Sequence, residues 1–163
     1  MHDDADTRPD ALPVVDGRQS PRALEIQRGT CRLLRALGFA TVTELVLSSG
    51  HRADIAALGR RGELWICEIK SSVEDFRVDS KWPAYHDHCD RLFFAVGADL
   101  PLAILPAQTG IVVADRFGAA IVREAPERPL AAARRKAVQL RFARAAALRL
   151  HALMDPHADT ASG

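Results

Sequence analysis

The chain has 163 residues, 26% of them charged and 48% hydrophobic, an ordinary balance for a globular protein with enough length for one proper core. No apolar run is long enough to span a bilayer, the N-terminus has no apolar signal region, and the three cysteines (Cys31, Cys67, Cys89) are too scattered and too few for a disulfide framework, so a reduced cytoplasmic protein with no membrane partner is expected. The net charge of +1 conceals an acidic beginning and a basic last helix, so local fields matter more than the total.

Residues 1–19 carry Asp3, Asp4, Asp6, Asp10 and Asp16 with Pro9 and Pro13, and read as a disordered acidic tail. Ser20-Pro21 is a helix start, a capping hydroxyl followed by proline at the first helical position. The helix runs to Leu37 with Ile26, Thr30, Leu33, Leu34 and Leu37 at helical spacing, and stops at Gly38. Three strands follow: Phe39 to Leu47, Arg52 to Leu58, and Leu64 to Ser71, with Gly59-Arg60-Arg61-Gly62 as the second turn. A helical segment between about Val73 and Cys89 is broken near Trp82-Pro83. Leu92 to Val96 reads as a buried strand, and Gly110–Ala114 with Ala119–Val122 as a hairpin around Asp115-Arg116-Phe117-Gly118. Pro129 to about Met154 is one long helix, and 156–163 a second disordered tail. The order αβββαβ predicts one α/β domain over 20–155 with a mixed sheet, an extra hairpin and a long C-terminal helix.

The chemistry concentrates at Asp54 and Glu68-Ile69-Lys70. Strand alternation puts Leu64, Ile66, Glu68 and Lys70 on one face and Trp65, Cys67 and Ile69 on the other. A buried carboxylate and ammonium must pair, neutralise or hold a cation. Two readings stay open from the residues alone: a same-face ion pair at a sheet edge, or, with Asp54 on the neighbouring strand, a site for a hard divalent cation with lysine beside the water or phosphate.

This arrangement resembles the PD-(D/E)xK nuclease superfamily, and is similar in order to archaeal Holliday junction resolvases and RecB-type nucleases: a helix carrying Glu25, then a strand-entry acid, then Glu-x-Lys. Ala53 stands where the superfamily has its proline. Lys81-Trp82-Pro83-Ala84-Tyr85 sits at the place of a glutamine-x-x-x-tyrosine motif, with lysine replacing glutamine. More narrowly, His51-Arg52-Ala53-Asp54, Glu68-Ile69-Lys70-Ser71-Ser72, Lys81-Trp82-Pro83 and Cys89-Asp90-Arg91-Leu92-Phe93-Phe94-Ala95 resemble the MmcB family of bacterial DNA repair proteins. The resemblance implies a restriction-endonuclease-like fold and an endonuclease that hydrolyses phosphodiester bonds in DNA repair. It also implies Mg²⁺, with Mn²⁺ as a substitute, held by Asp54, Glu68 and the Ile69 carbonyl; Lys70 acts with the water and Glu25 is an auxiliary acid. No small-molecule cofactor is implied, and junction cleavage would favour a homodimer. The alternative is a nuclease fold retained as a DNA-binding or protein-docking module without catalysis.

DNA needs a source of positive charge. From Arg128 to Leu150 there are Arg128, Arg134, Arg135, Lys136, Arg141, Arg144 and Arg149 and no acid. Arg134, Arg141 and Arg149 fall within roughly 80° of one another on a helix and read as phosphate contacts. Arg52 near the acids, with Lys81 and Tyr85 four apart, extends the candidate nucleic-acid surface.

Overall fold

The computed structural model describes residues 19–157. Asp3, Asp4, Asp6, Asp10 and Asp16, and most of the two expected tails, lie outside the described residues. The elements are α1 (Pro21–Ala36), β1 (Ala40–Val46), β2 (Arg52–Leu58), β3 (Leu64–Lys70), α2 (Val73–Val78), β4 (Arg91–Val96), β5 (Gly110–Ala114), β6 (Ala119–Arg123) and α3 (Ala132–Met154), with 3-10 turns at Trp82–His88 and Leu102–Ile104. The Ser20 hydroxyl caps α1 by accepting from the Ala23 N–H, and Gly38 ends it with φ +90°, a conformation that a side chain would disfavour.

One six-stranded sheet holds the strands in chain order, β1 to β6. β3 runs parallel to β4 and β4 to β5, while the other neighbours are antiparallel, so the sheet is mixed as the element order predicts. The period-two alternation of β3 splits its residues between two cores. On one face Ile26 and Leu34 of α1 pack against Ile55, Cys67, Ile69 and Phe93. On the other, Phe142 and Ala145 of α3 and Tyr85 of the 3-10 turn pack against Val42, Ala56, Ile66 and Leu92. Phe93 and Phe94 are wholly buried, and truncating either to alanine would cost about 3–5 kcal/mol.

Two boundaries differ from the sequence expectation for identifiable reasons. The segment after β3 is a short helix and a separate 3-10 turn, because Asp79 accepts the Lys81 N–H at 2.8 Å and Pro83 has no N–H to continue an α-helix. The last helix begins at Ala132, not Pro129, because the Leu130 N–H is taken by the Asp90 carboxylate at 2.9 Å, which holds the preceding residues off the helix.

Candidate active site

β2 and β3 stay paired from Leu58↔Leu64 to Ile55↔Cys67. Continuing that register sets Asp54 opposite Glu68, but there the side chains take over from the backbone ladder. The Asp54 N–H donates to Glu68 Oε1 at 2.9 Å, and the Ile69 N–H donates to Asp54 Oδ2 at 2.8 Å. Each carboxylate is thus fixed by the opposite strand, and the two lie within hydrogen-bonding reach of each other. This reciprocal lock is local: it needs only two acids facing each other where a ladder ends.

Glu68 is buried, 4% exposed, and Asp54 is half-buried beside it. Burial, then the charge of Asp54, pushes the Glu68 carboxyl well above the usual carboxylate range. Burial raises Asp54 as well, against the lowering effects of the Ile69 N–H, the Lys70 ammonium and Glu68 itself. Burial and the neighbouring acid thus favour the neutral form of both carboxyls, so the two titrate as a coupled pair.

Lys70 is carried to the same face, 7% exposed, and its Nζ lies 2.7 Å from Asp79 Oδ2. Asp79 is a site residue that no motif spacing marks. Burial pushes its carboxyl up, but the bond from Lys70 and the Lys81 N–H outweigh this and hold it below the usual range. The available signal was physical: a buried lysine needs an acid, and the chain after β3 is the nearest source. Asp75, fixed by the Ser71 N–H at 3.1 Å, adds a further negative charge near Asp54.

The other predicted residues are distributed differently. Glu25 is half-buried on α1, which covers the Ile69 face; the strongest charges acting on the pair come from the two acids themselves, Lys70 and Asp75. Arg52 opens β2 with an exposed side chain, 3.8 Å from Glu44. Tyr85 is 4% exposed and donates its hydroxyl to the Arg52 carbonyl at 2.9 Å, bracing the strand that carries Asp54. Lys81 is exposed at the start of the 3-10 turn. Arg134 is exposed and Arg141 half-buried. After burial, their charges are among the influences that lower the pKa of the His88 imidazole on the 3-10 turn, so both lie on the part of α3 near that turn. Arg149 bonds the carbonyls of Thr43 and Glu44, the latter at 3.0 Å, and so clamps β1 where Glu44 takes the left-handed φ of 52°.

Among the described residues no group of three or more His, Cys, Asp or Glu side chains is placed to hold a metal ion. The donor set here is two carboxylates, too few for a closed zinc site. It suits Mg²⁺, which takes one or two carboxylates and completes its shell with water and phosphate oxygen. Two facing carboxyls, both raised, mark a place where a cation would relieve an electrostatic cost.

Comparison with known proteins adds to this geometry. A family model described as "DNA repair protein MmcB-like" matches residues 10–157. A solved structure, "SPO1766 protein of unknown function from Silicibacter pomeroyi", is 47% identical, covers 85% of this chain and 95% of its own, and superposes with a TM-score of 0.82. No curated protein matches. Among the described residues no helix is long and apolar enough to cross a membrane.

Proposed function

The chain belongs to the MmcB-like family of DNA repair proteins, and from that premise we propose that it is a divalent-cation-dependent DNA endonuclease of the PD-(D/E)xK type. The observation that carries this reading is the facing Asp54–Glu68 pair, held by reciprocal backbone bonds and under-neutralised by its surroundings. Mg²⁺ bound by the two carboxylates and the Ile69 carbonyl would supply an acidified water and charge neutralisation at the scissile phosphate.

The chain's own residues do the rest. Asp54 and Glu68 would hold the cation in their ionised forms, giving up to solvent any proton their raised carboxyls carry. Lys70, kept charged-side inward by Asp79, stands on the same face to orient the attacking water or to steady negative charge developing on phosphate oxygen. Arg52 and Lys81 lie exposed nearby to receive flanking phosphates. Arg134 and Arg141 extend that track along α3. Glu25 would enter as an auxiliary acid from α1.

A second reading, a docking module without catalysis, is favoured by one observation: the Lys70 ammonium is already engaged by Asp79. A panel of branched, nicked and single-stranded DNAs with Mg²⁺ separates the two. Wild type is expected to cleave at least one substrate, with cleavage abolished in Glu68→Ala and Asp54→Asn; cutting by either variant at the wild-type rate would remove the proposal. The module reading expects no cleavage by any form, and no Mg²⁺-induced rise in melting temperature that depends on Asp54.

A further inference from the structure

The turn between β5 and β6 presents a large aromatic side chain to solvent. Phe117 is 77% exposed, and the Arg116 guanidinium lies 4.6 Å from its ring centroid. Exposed phenylalanine is ordinarily tolerated on a pliable loop tip, but this tip is fixed from three directions. Asp115 Oδ1 accepts both the Phe117 N–H at 2.7 Å and the Gly118 N–H at 3.0 Å, and the Asp115 N–H closes the turn on the Gly118 carbonyl at 2.9 Å. Arg32 of α1 donates to the Arg116 carbonyl at 2.7 Å. Gly29 of α1 lies so close beneath the turn that a Cβ there would stand 2.4 Å from the Asp115 oxygen and 2.7 Å from that of Gly118. The glycine is what allows the helix and the turn to touch.

The position of the tip relative to the acids follows from strand register. Lys70 pairs with Val96, and Val96 with Val113, along parallel strands. The turn that begins two residues after Val113 therefore leaves the sheet at the end where β3 delivers Glu68 and Lys70, two strand spacings or about 10 Å across. Around the ring, the Asp115 carboxylate is engaged inward by the turn's own N–H groups, while Arg116 on the turn and Arg32 and Arg28 on α1 supply positive charge.

We propose that Phe117, with Arg116, is a base-stacking platform that receives an unpaired nucleobase of the DNA whose backbone passes the Asp54–Glu68 site. A flat apolar face beside a guanidinium suits a nucleobase and its phosphate together, and a paired duplex offers no free base face to such a tip. The inference rests on the DNA reading above and deepens it: the preferred substrate has unpaired bases two strands across from β3 and several residues further along the strand direction than the acids.

The test is metal-free binding of the full-length protein to labelled DNAs that differ only in unpaired character: a blunt duplex, the same duplex with a single-stranded branch, and a single strand. Phe117→Ala is expected to bind the branched and single-stranded DNAs about tenfold more weakly, the effect of losing one base–aromatic stack, and the duplex unchanged. Phe117→Trp is expected to restore binding. Because the ring is exposed, neither substitution threatens the fold, which a melting curve checks. If wild type binds and Phe117→Ala matches it on every DNA, this inference fails alone. If wild type binds none of them, the DNA reading fails and takes this one with it.

Discussion

The two ends of β3 each bury carboxylate chemistry, and they treat it in opposite ways. At the Leu64 end, Asp90 accepts the N–H groups of Leu64 at 2.8 Å and Leu130 at 2.9 Å and a two-pronged contact from Arg135 at 2.7 and 2.6 Å. Burial pushes its carboxyl up, but Arg135 and the two N–H groups prevail and hold it below the usual range. At the Lys70 end, Asp54 and Glu68 receive one backbone N–H each, face each other, and are driven upward. A saturated acid joins β3, β4 and α3 and is structural. The acid pair at the other end, Asp54 on β2 and Glu68 on β3, is left short of positive charge, and by the proposal above it is the place for a cation.

Breaking the saturated end should produce the largest effect. Asp90→Ala strands the Arg135 guanidinium and two backbone donors, and should lower stability by about 3–5 kcal/mol, read by urea denaturation. Its pH dependence follows from the lowered carboxyl: the stabilisation is complete above the unfolded-state value near 4 and disappears as pH falls through the folded value. Wild type and Asp90→Ala should therefore converge in acid. A variant as stable as wild type at pH 7 would remove the structural role.

At the other end the sign reverses. Carboxyls raised in the folded state bind more protons folded than unfolded, so their contribution worsens as pH climbs above about 4. Glu68→Gln retains an oxygen for the Asp54 N–H while removing the charge. It should stabilise the metal-free protein at pH 7.5 by on the order of 1 kcal/mol. Wild type should gain about 2.7 kcal/mol from Mg²⁺ at a hundredfold excess over its dissociation constant, and Glu68→Gln should gain nothing. Thermal melts with and without Mg²⁺ measure both. A neutral-pH loss of stability in Glu68→Gln without metal would show the pair to be structural like Asp90.

How far the sequence disclosed this contrast differs at the two ends. The strand bounds of β2 and the faces of Glu68 and Ile69 follow from a period of two and from turn residues, which are local properties. Asp54 and Glu68 were found because each stands at a recognisable place on a strand. Asp90 and Asp79 were not assigned roles, since their meaning lies in partners 45 and 9 residues away, Arg135 and Lys70, that only the folded chain brings to them. Likewise Arg149 reads as a phosphate contact by helical spacing, and the motif leaves Tyr85 equally a nucleic-acid contact or a packed ring with a bonded hydroxyl; tertiary packing turns both onto backbone carbonyls. Spacing reports which face a residue occupies, not what waits there.

The smallest effect tests whether Lys70 belongs to the under-neutralised end or only adjoins it. Asp79 bonds Lys70 through one oxygen and the Lys81 N–H through the other, so Asp79→Asn weakens a buried ionic hydrogen bond and should cost about 1 kcal/mol. That cost need not be constant with pH. In its protonated form the Asp54–Glu68 pair has little attraction for the freed ammonium. Deprotonation, displaced above the usual carboxylate range, gives Lys70, already on the same face, a second partner there. The gap between wild type and Asp79→Asn in metal-free protein should therefore narrow from pH 5 to pH 8, and denaturation at each pH measures it. A gap of equal size throughout would mean that Lys70 answers to Asp79 alone, leaving the two acids to hold a cation without an ammonium to act beside it.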